Sequence, residues 1–520
     1  MRDAGVVPAV GARAVVKDEG VALVLVGVVC LASVGVLAVT ANPVFAFLPL
    51  LLTVAGYAMW VLPLRYSFYP LLFLVIIADV GPRDPYNPAV AWRSPVNGLQ
   101  RGLLDNLNML LGVEAMRFSG TELLLLLLLG LCAVRTLAGV GRDAHGRVPL
   151  PKPVYAALAL SSLVVVALEV WGAARGGDVR QSLWQFRQIA WLPMIAIVAG
   201  QALRDADDYV MVGKVVTLAA AVKVVIGIIY FRLVAAGGGS APATVTSHHD
   251  TVLFVVVVAF WILRYVHRRT PRQLAATALV SAWIMLGMVL NNRRTAWVSL
   301  VAVLVTLFVL QPARPRRKGY RVLLHLFPML VLYVYAGNYQ TTGIFKPAAS
   351  VISVFADDNA SNSTRDIENF NLIQTIKQNK LVGSGWGHMY SEQSVAYDIS
   401  GAFEQYRYIA HNSVLWLWSI GGLLGFTGLW MVMGIGIFFS ARSYHLASDS
   451  TSRVAASLAI ATFVAFIVQA WADMGTQSWT IVLLVACAVT ASGKLAAATG
   501  GWVFPAPRRR VGALRPVGAR

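Results

Sequence analysis

The chain has 520 residues, of which 58% are hydrophobic and only 13% are charged, and Lys and Arg exceed Asp and Glu by 19. A soluble globular chain carries about 25% charged residues, so this composition excludes an ordinary soluble domain and indicates a polytopic membrane protein. The basic excess falls in short loops between apolar runs, which is a topology signal and predicts no nucleic-acid partner.

The first apolar run, at 21–40, follows a more polar segment at 1–20. The run is longer than a signal-peptide core, which is about 7–15 residues, and a second apolar run follows almost at once. We therefore predict a retained membrane anchor behind a cytoplasmic N-terminus at 1–20.

Fourteen apolar runs are long enough to cross a bilayer as helices, which takes about 20 residues. They begin near residues 21, 44, 66, 119, 153, 183, 209, 251, 274, 296, 322, 413, 454 and 478. The sequence therefore predicts an all-α polytopic integral membrane protein with about 12–14 transmembrane helices. Spans one to eleven occupy 21–336, and spans twelve to fourteen occupy 412–498.

The orientation follows from the densest basic loops, which are 267–272, 314–321 and the end of the chain at 507–510. An even number of spans places all three on one face together with the N-terminus, and this face is expected to be cytoplasmic. The basic tail at 499–520 is then cytoplasmic as well. Two long loops are expected outside, one at 81–118 and one at 337–411 between spans eleven and twelve.

The second outer loop is predicted to form a cap over the membrane domain. Residues 362–380 have the pattern of a helix, which Ser363 and Asp366 would begin with a capping-box-like pair. The apolar residues of this helix recur at helical spacing and predict one buried face, which comprises Ile367, Phe370, Ile373 and Ile376. The glycine-rich GSGWG segment at 383–387 then ends the helix.

His411 is the candidate catalytic residue because it stands at the end of the cap loop, directly before an apolar run. Imidazole titrates near pH 6.5, so at neutral pH it can accept a proton from a sugar hydroxyl. Asn412 or Ser413 could cap the following helix and would support the site. The alternative is that the whole triplet is a helix cap and His411 is only a solvated residue.

Arg293 and Arg294 interrupt two apolar runs on the predicted outer face, in the segment NNRRTAW at 291–297. Arginine near hydrocarbon is costly, and its planar guanidinium donates paired hydrogen bonds that suit diphosphate oxygens. The alternative is a pair that only anchors the turn in the headgroup region.

Two further arginines are candidates for binding the same diphosphate. Arg187 lies near the outer end of the sixth span, among aromatic residues typical of an interfacial belt. Arg365 lies in the first turn of the cap helix, where a cation opposes the helix dipole at a cost of about 0.3 kcal/mol or more. A salt bridge to Glu368 would explain Arg365 equally well.

Three other patterns give weaker evidence for a functional site. SHHD at 247–250 has adjacent histidines without further spaced ligands, which is a weak metal signal, so no metal site is expected. The three cysteines lie inside apolar runs and have neither metal-ligand nor disulfide-framework spacing. GSGWG is not followed by a lysine and serine, so it is not a nucleotide-binding loop.

The chain resembles the O-antigen ligase and polymerase family of membrane glycosyltransferases, of the WaaL/Wzy type. The resemblance covers about residues 180–440 and lies in NNRRTAW, in STRD and LVGSGWG within the long outer loop, and in HNSVLWLWSIGGLLGFTGL at the next span.

The resemblance implies transfer of a glycan from undecaprenyl diphosphate to a glycan, lipid or protein acceptor at the outer face of a bacterial inner membrane. It implies no nucleotide sugar, no cofactor and no metal. The family's essential histidine corresponds to His411, and its later arginine corresponds to Arg294, with Arg293 as the register alternative. An earlier arginine of the family corresponds to Arg187.

Two alternatives remain open at this stage. Ligase and polymerase share the donor chemistry and differ only in the acceptor, so the sequence does not separate them. A transporter or flippase for the same lipid is the other alternative, and Lys223 and Glu169 are the candidate charges within spans.

Overall fold

The computed structural model describes residues 19–40, 47–79, 96–108, 117–138, 149–236, 245–311, 328–329, 331–340, 345–353, 360–395 and 405–502. Its helices, in chain order, are α1 (Glu19–Thr40), α2 (Leu48–Val61), α3 (Arg65–Ala78), α4 (Asn97–Leu103), α5 (Gly120–Leu137), α6 (Lys152–Ala174), α7 (Val179–Ala202), α8 (Ala206–Ala236), α9 (Asp250–Arg268), α10 (Pro271–Asn291), α11 (Arg294–Leu310), α12 (Lys346–Ile352), α13 (Ala360–Gln378), α14 (Ser413–Leu446), α15 (Ser450–Ala472) and α16 (Trp479–Thr499). Residues 331–339 are also helical.

Eight of the described helices are long and apolar enough to cross a membrane, namely α5, α6, α8, α9, α10, α14, α15 and α16. Shorter apolar helices occur within α1 and at α3 and α11. This confirms the predicted all-α polytopic membrane protein. The predicted eleventh span begins near 322, outside the described residues, so the total of 12–14 spans and the cytoplasmic termini stay predictions.

The centre of the helical assembly is α16, in which nearly every residue is buried. It packs against α7, α14 and α15, while α9 packs against α10 and α15. The peripheral helices expose large apolar side chains instead, such as Leu163 and Val166 of α6. Because such a surface is compatible with acyl chains, we assign the exposed apolar faces of these helices to lipid.

Polar residues in the loops fix where the helices near the outer face begin and end. Asn412 caps α14, since its side-chain oxygen accepts the N–H of Leu415 at 3.1 Å. Asn292 ends α10 in the left-handed conformation, with φ of 52°. This residue makes a tight turn into α11, and the turn carries Arg293 and Arg294.

The predicted span beginning near residue 413 is interrupted at Gly422, where φ is 58° and ψ is −168°. The backbone groups that lose their helical partners at this break form hydrogen bonds with the chain around GSGWG instead. The N–H of Gly385 donates to the Ile420 carbonyl at 2.9 Å, and the Leu423 N–H donates to the Lys380 carbonyl at 2.8 Å. Only the segment 423–446 reaches the about 20 residues that a bilayer requires.

Gly385 holds this loop against α6 in a way that no other residue could. Its φ is +84°, and a Cβ would lie 2.5 Å from main-chain atoms of Gly172. We expect Gly385→Ala to lower the unfolding temperature in detergent more than Gly176→Ala does. Gly176 is the matched control, because its φ is +82° but nothing lies within 4 Å of a Cβ there. Equal losses in the two variants would contradict the close approach.

The predicted cap helix exists as α13, but two details of the prediction are wrong. The helix begins at Ala360, so Ser363 lies inside the first turn and does not cap it. The predicted buried face is not buried, since Phe370 is 44% exposed, Ile373 is 42% exposed, and Ile367 and Ile376 are half-buried. The opposite face is buried and largely polar, and it comprises Glu368, Asn371, Leu372 and Thr375.

The reason for this reversal is that the polar face of α13 supplies hydrogen bonds to its neighbouring loops. The Asn371 side-chain oxygen accepts the Gln393 N–H at 2.9 Å, and its amide group donates to the Ser394 carbonyl at 2.7 Å. Thr375 Oγ1 accepts the N–H of Ser391 at 2.8 Å. Buried backbone groups need such partners, and this requirement outweighs the apolar periodicity of the helix.

Candidate functional site

The candidate site lies where four parts of the chain converge at one end of the helical assembly. These parts are the turn before α9, the turn between α10 and α11, the first half of α13, and the residues between the cap and α14. The end of α15 joins them through Asp473, whose carbonyl accepts a hydrogen bond from Ser413 Oγ at 3.1 Å. Six of the seven predicted site residues lie on these elements, namely Arg293, Arg294, Arg365, His411, Asn412 and Ser413.

His411 and Glu368 form a histidine–carboxylate pair. The ring Nδ1 of His411 lies 3.2 and 3.3 Å from the two carboxylate oxygens of Glu368, and the backbone N–H of His411 donates to the same group at 3.1 Å. A carboxylate at Nδ1 favours the tautomer with the proton on that nitrogen. This arrangement leaves Nε2 as the nitrogen that can accept a proton.

The pKa of His411 is raised above its ordinary value. Burial lowers the pKa, but the hydrogen bond to Glu368 and the charges of Glu368 and Asp473 together raise it by more, against an opposing effect of Arg365. Because the neutral imidazole is the form that accepts a proton, the rate of a reaction using His411 as base is expected to rise with pH through this raised pKa.

We expect Glu368→Gln to move the rising limb of the pH–rate profile to lower pH. Glutamine removes the carboxylate charge that holds the proton on His411, so burial then lowers the pKa of the ring with less opposition. Measurement of transfer rate against pH for the two proteins checks this. A lower plateau without any displacement of the limb would mean that Glu368 only supports the structure.

A second histidine–carboxylate pair, His248 with Asp473, lies beside the first and was missed by the sequence analysis. His248 Nδ1 is 2.6 Å from Asp473 Oδ2. Burial by itself raises the pKa of Asp473. Its interactions with His248, His411 and Arg365 lower that pKa by more, so the pKa of Asp473 stays well below its usual range. The sequence offered SHHD only as a weak metal motif, and Asp473 has no motif around it.

The second pair does not make SHHD a stronger candidate for a metal site. Across the described ranges, no group of three or more His, Cys, Asp and Glu side chains could hold a metal ion. The neighbouring His249 instead contacts the main chain, with Nε2 at 3.2 Å from the Met474 carbonyl. The two histidines of SHHD therefore face the same short segment after α15.

Three arginines give this end of the assembly a positive field. The charge of Arg365 acts on both Arg293 and Arg294. Burial lowers the pKa of Arg293 to about 10, with Asp473 raising it and Arg365 lowering it. The Nε of Arg293 is buried without a hydrogen-bond partner. Clustered like charges are unfavourable unless an anion neutralises them, so the arrangement is suited to an anionic ligand.

Arg365 does not form the salt bridge to Glu368 that the sequence left open. Glu368 is bound to His411, and among the described residues no carboxylate pairs with Arg365. Arg294 is held differently, because its Nη1 donates to the Ser353 carbonyl at 3.0 Å.

Arg294 and Arg365 line the polar end of an apolar groove of about 530 Å³. The remainder of its lining comes from α11, α14 and α15 and consists of Thr295, Val298, Val414, Phe426, Trp430, Ile467, Val468, Trp471 and Ala472. Trp471 is 57% exposed at the surface of α15. A groove with cations at one end and aromatic and aliphatic walls suits an amphiphile with an anionic head.

Arg187 is not brought together with Arg293, Arg294 and Arg365. Its guanidinium binds the Glu122 carboxylate, the Asn106 side chain at 2.7 Å and the Arg117 carbonyl at 2.9 Å. Arg187 lines a different cavity, of about 630 Å³, beside α5 and α7. These contacts hold the chain before α5 against α7, and diphosphate binding by Arg187 stays a prediction.

The fold and this site together define a multi-pass membrane protein with a histidine–carboxylate pair and three arginines at one end of its helical assembly, where two of the arginines line an apolar groove. Residues 279–430 match the model of the O-antigen ligase family, which confirms the predicted resemblance. The matched segment contains Arg293, Arg294, Arg365, Glu368 and His411. A search of the curated proteins finds no match. The family match supports an enzyme of surface-polysaccharide assembly, ligase-like or polymerase-like, in a bacterial membrane.

Proposed function

We propose that this protein transfers a glycan from a polyprenyl diphosphate, such as undecaprenyl diphosphate, to an acceptor hydroxyl at the outer face of the bacterial cytoplasmic membrane. The observation that carries the proposal is the position of Arg294 and Arg365 at the polar end of the apolar groove. The polyprenyl chain would lie along the groove, and its diphosphate would meet the two guanidinium groups. The acceptor would be a second glycan, a lipid or a protein.

His411 acts as the general base in this proposal. Its Nε2 accepts the proton of the acceptor hydroxyl while the oxygen attacks the anomeric carbon of the donor sugar. Glu368 holds the ring and stabilises the imidazolium that forms. Such proton transfer commonly contributes about 10²–10⁴-fold to a rate.

The arginines act on the leaving group. As the bond between the anomeric carbon and the diphosphate oxygen breaks, that oxygen takes the bonding electron pair and gains negative charge. The lipid diphosphate is therefore the leaving group. Arg294 and Arg365 stabilise this charge more in the transition state than in the ground state, and the neighbouring Arg293 adds to the positive field. A single displacement inverts the anomeric centre, so the product linkage is expected to have the opposite configuration to the donor.

We expect Arg294→Ala and Arg365→Ala each to lower the transfer rate about 10²–10³-fold, because each removes one fixed donor to the developing charge. The measurement is transfer of a labelled glycan from its polyprenyl diphosphate to acceptor in nanodiscs. Arg272→Ala is the matched control, since Arg272 is exposed near the start of α10, at the other end of that helix from Arg293. A loss in the control equal to that in the site variants would remove the diphosphate assignment.

A further inference from the structure

The exposed apolar residues of the cap helix and of the loop after it lead to the exposed surface of α14, with the exposed polar residues Lys377, Gln378 and Lys380 between them. Phe370 and Ile373 are exposed on the second half of α13. Leu381, which is 62% exposed, and Val382 follow directly after the helix. The N–H of Leu424 donates to the carbonyl of Leu381 at 3.0 Å, so this loop runs beside the first turn of the segment 423–446.

This contact fixes the depth of the loop relative to the bilayer. Leu423 and Leu424 are the first residues of the α14 segment that is long enough to cross the membrane, and Leu424 is 65% exposed. Because the Leu424 N–H donates to the Leu381 carbonyl, the backbones of these two residues lie at the same level. At the depth where α14 begins to contact lipid, the loop that follows the cap helix therefore contacts lipid as well.

The end of α6 gives a second marker of the same depth. The carbonyl of Gly383 accepts hydrogen bonds from Trp171 Nε1 at 3.3 Å and from Arg175 Nη1 at 3.2 Å. Arg175 also lies over the Trp171 ring, 5.5 Å from its centroid. Tryptophan and arginine at the end of a transmembrane helix are typical of the headgroup region, so Gly383 lies there as well.

The exposed residues of α13 change character along the helix. Between residues 363 and 369, Ser363 and Asp366 are exposed, whereas Phe370 and Ile373 are exposed in the second half. Lys377 follows them on the exposed side. A lysine beside apolar side chains can extend its ammonium to lipid phosphates while its stem stays in the apolar layer.

We infer that the second half of α13 and the loop 380–382 are inserted into the outer leaflet, with Phe370, Ile373, Leu381 and Val382 among lipid chains. The first half of α13 stays in the aqueous phase above the headgroups. The partner of this exposed apolar surface is therefore the bilayer itself. Because the buried face of the same helix carries Glu368, the insertion also sets the height of the His411–Glu368 pair relative to the headgroups.

The test places an environment-sensitive fluorophore on single cysteines at Phe370, Ile373 and Leu381, with Ser363 and Asp366 as matched controls on the exposed side of the same helix. The native cysteines are replaced by serine, and the protein is held in phosphatidylcholine nanodiscs. Spin-labelled lipids with the label near the headgroup and a water-soluble iodide quencher are then compared. We expect lipid quenching of at least twofold at 370, 373 and 381 with little effect of iodide, and the reverse at 363 and 366.

Two results would overturn the inference. Strong iodide quenching at all five positions would place the whole helix in water. Protection of 370, 373 and 381 from both quenchers would mean that protein covers this surface, for example a second copy of the chain. The test does not depend on glycan transfer, so its outcome is independent of the proposed activity.

Discussion

His411→Ala is expected to lower acceptor-dependent glycan transfer about 10²–10⁴-fold, which is the usual range for loss of a general base. The ring has an oriented tautomer because Glu368 lies at Nδ1, and alanine removes the imidazole that this carboxylate holds. The backbone N–H of residue 411 can still donate to Glu368, so the cap is expected to keep its fold. Initial rates with lipid-linked donor in nanodiscs measure the effect.

The control for this variant is His445→Ala, because His445 is an exposed histidine near the opposite end of α14. It is expected to transfer at the wild-type rate. Full activity of His411→Ala would contradict the assignment of a base. Equal loss in both variants would indicate damage to α14 instead.

Lys223→Met is expected to have the largest effect on stability, because Lys223 is the centre of a buried charge network. Its ammonium binds the Asp250 carboxylate and the Asp79 carbonyl, and its side chain is only 2% exposed. Removing one partner of a buried ion pair commonly costs about 3–5 kcal/mol, because the other charge is left without compensation. Thermal unfolding in detergent, followed by intrinsic fluorescence, gives the change in free energy.

The double variant Lys223→Met with Asp250→Asn is the control for the charge. It removes the Asp250 carboxylate that the single variant leaves unpaired, so it is expected to recover part of the lost stability. The pair also holds the turn that carries His248, since Asp250 accepts the N–H of Ser247 at 3.2 Å. A double variant no more stable than the single one would show that packing, and not charge, is responsible.

This network also bears on the transport alternative. Lys223 was a candidate for a charge that moves a substrate through the membrane, but the structure binds it to Asp250 and Asp79 inside the protein. A fixed, neutralised pair supports the structural interpretation of Lys223. The crossing of intact donor is nevertheless a distinct outcome of the final measurement.

The helical architecture was predictable because apolar runs of bilayer length leave few alternatives to helices. The break at Gly422 was not predictable, because it depends on backbone groups of residues 380–385 that approach from a distant part of the chain. The orientation of α13 was wrongly predicted for the same kind of reason. Apolar periodicity normally identifies a buried face in water, but next to a membrane the apolar face can point outward.

The site was predictable where a residue type was unexpected in its place. His411, Arg293 and Arg294 interrupt or precede apolar runs, which marked them without any structure. Asp473 follows α15 as an ordinary helix end, and its pairing with His248 joins residues 225 positions apart. The binding of Arg187 to the Glu122 carboxylate was not predictable from the sequence either, because the two residues lie 65 positions apart.

The most direct test of the central claim uses a donor labelled separately on its lipid and on its glycan, in nanodiscs without nucleotide sugar. We expect that acceptor separates the two labels, releasing the lipid diphosphate, and that His411→Ala prevents the separation. Labels that separate equally well in His411→Ala would contradict the proposed site. In sealed vesicles, passage of the doubly labelled donor across the bilayer without separation in the presence of acceptor would contradict glycan transfer and favour a flippase.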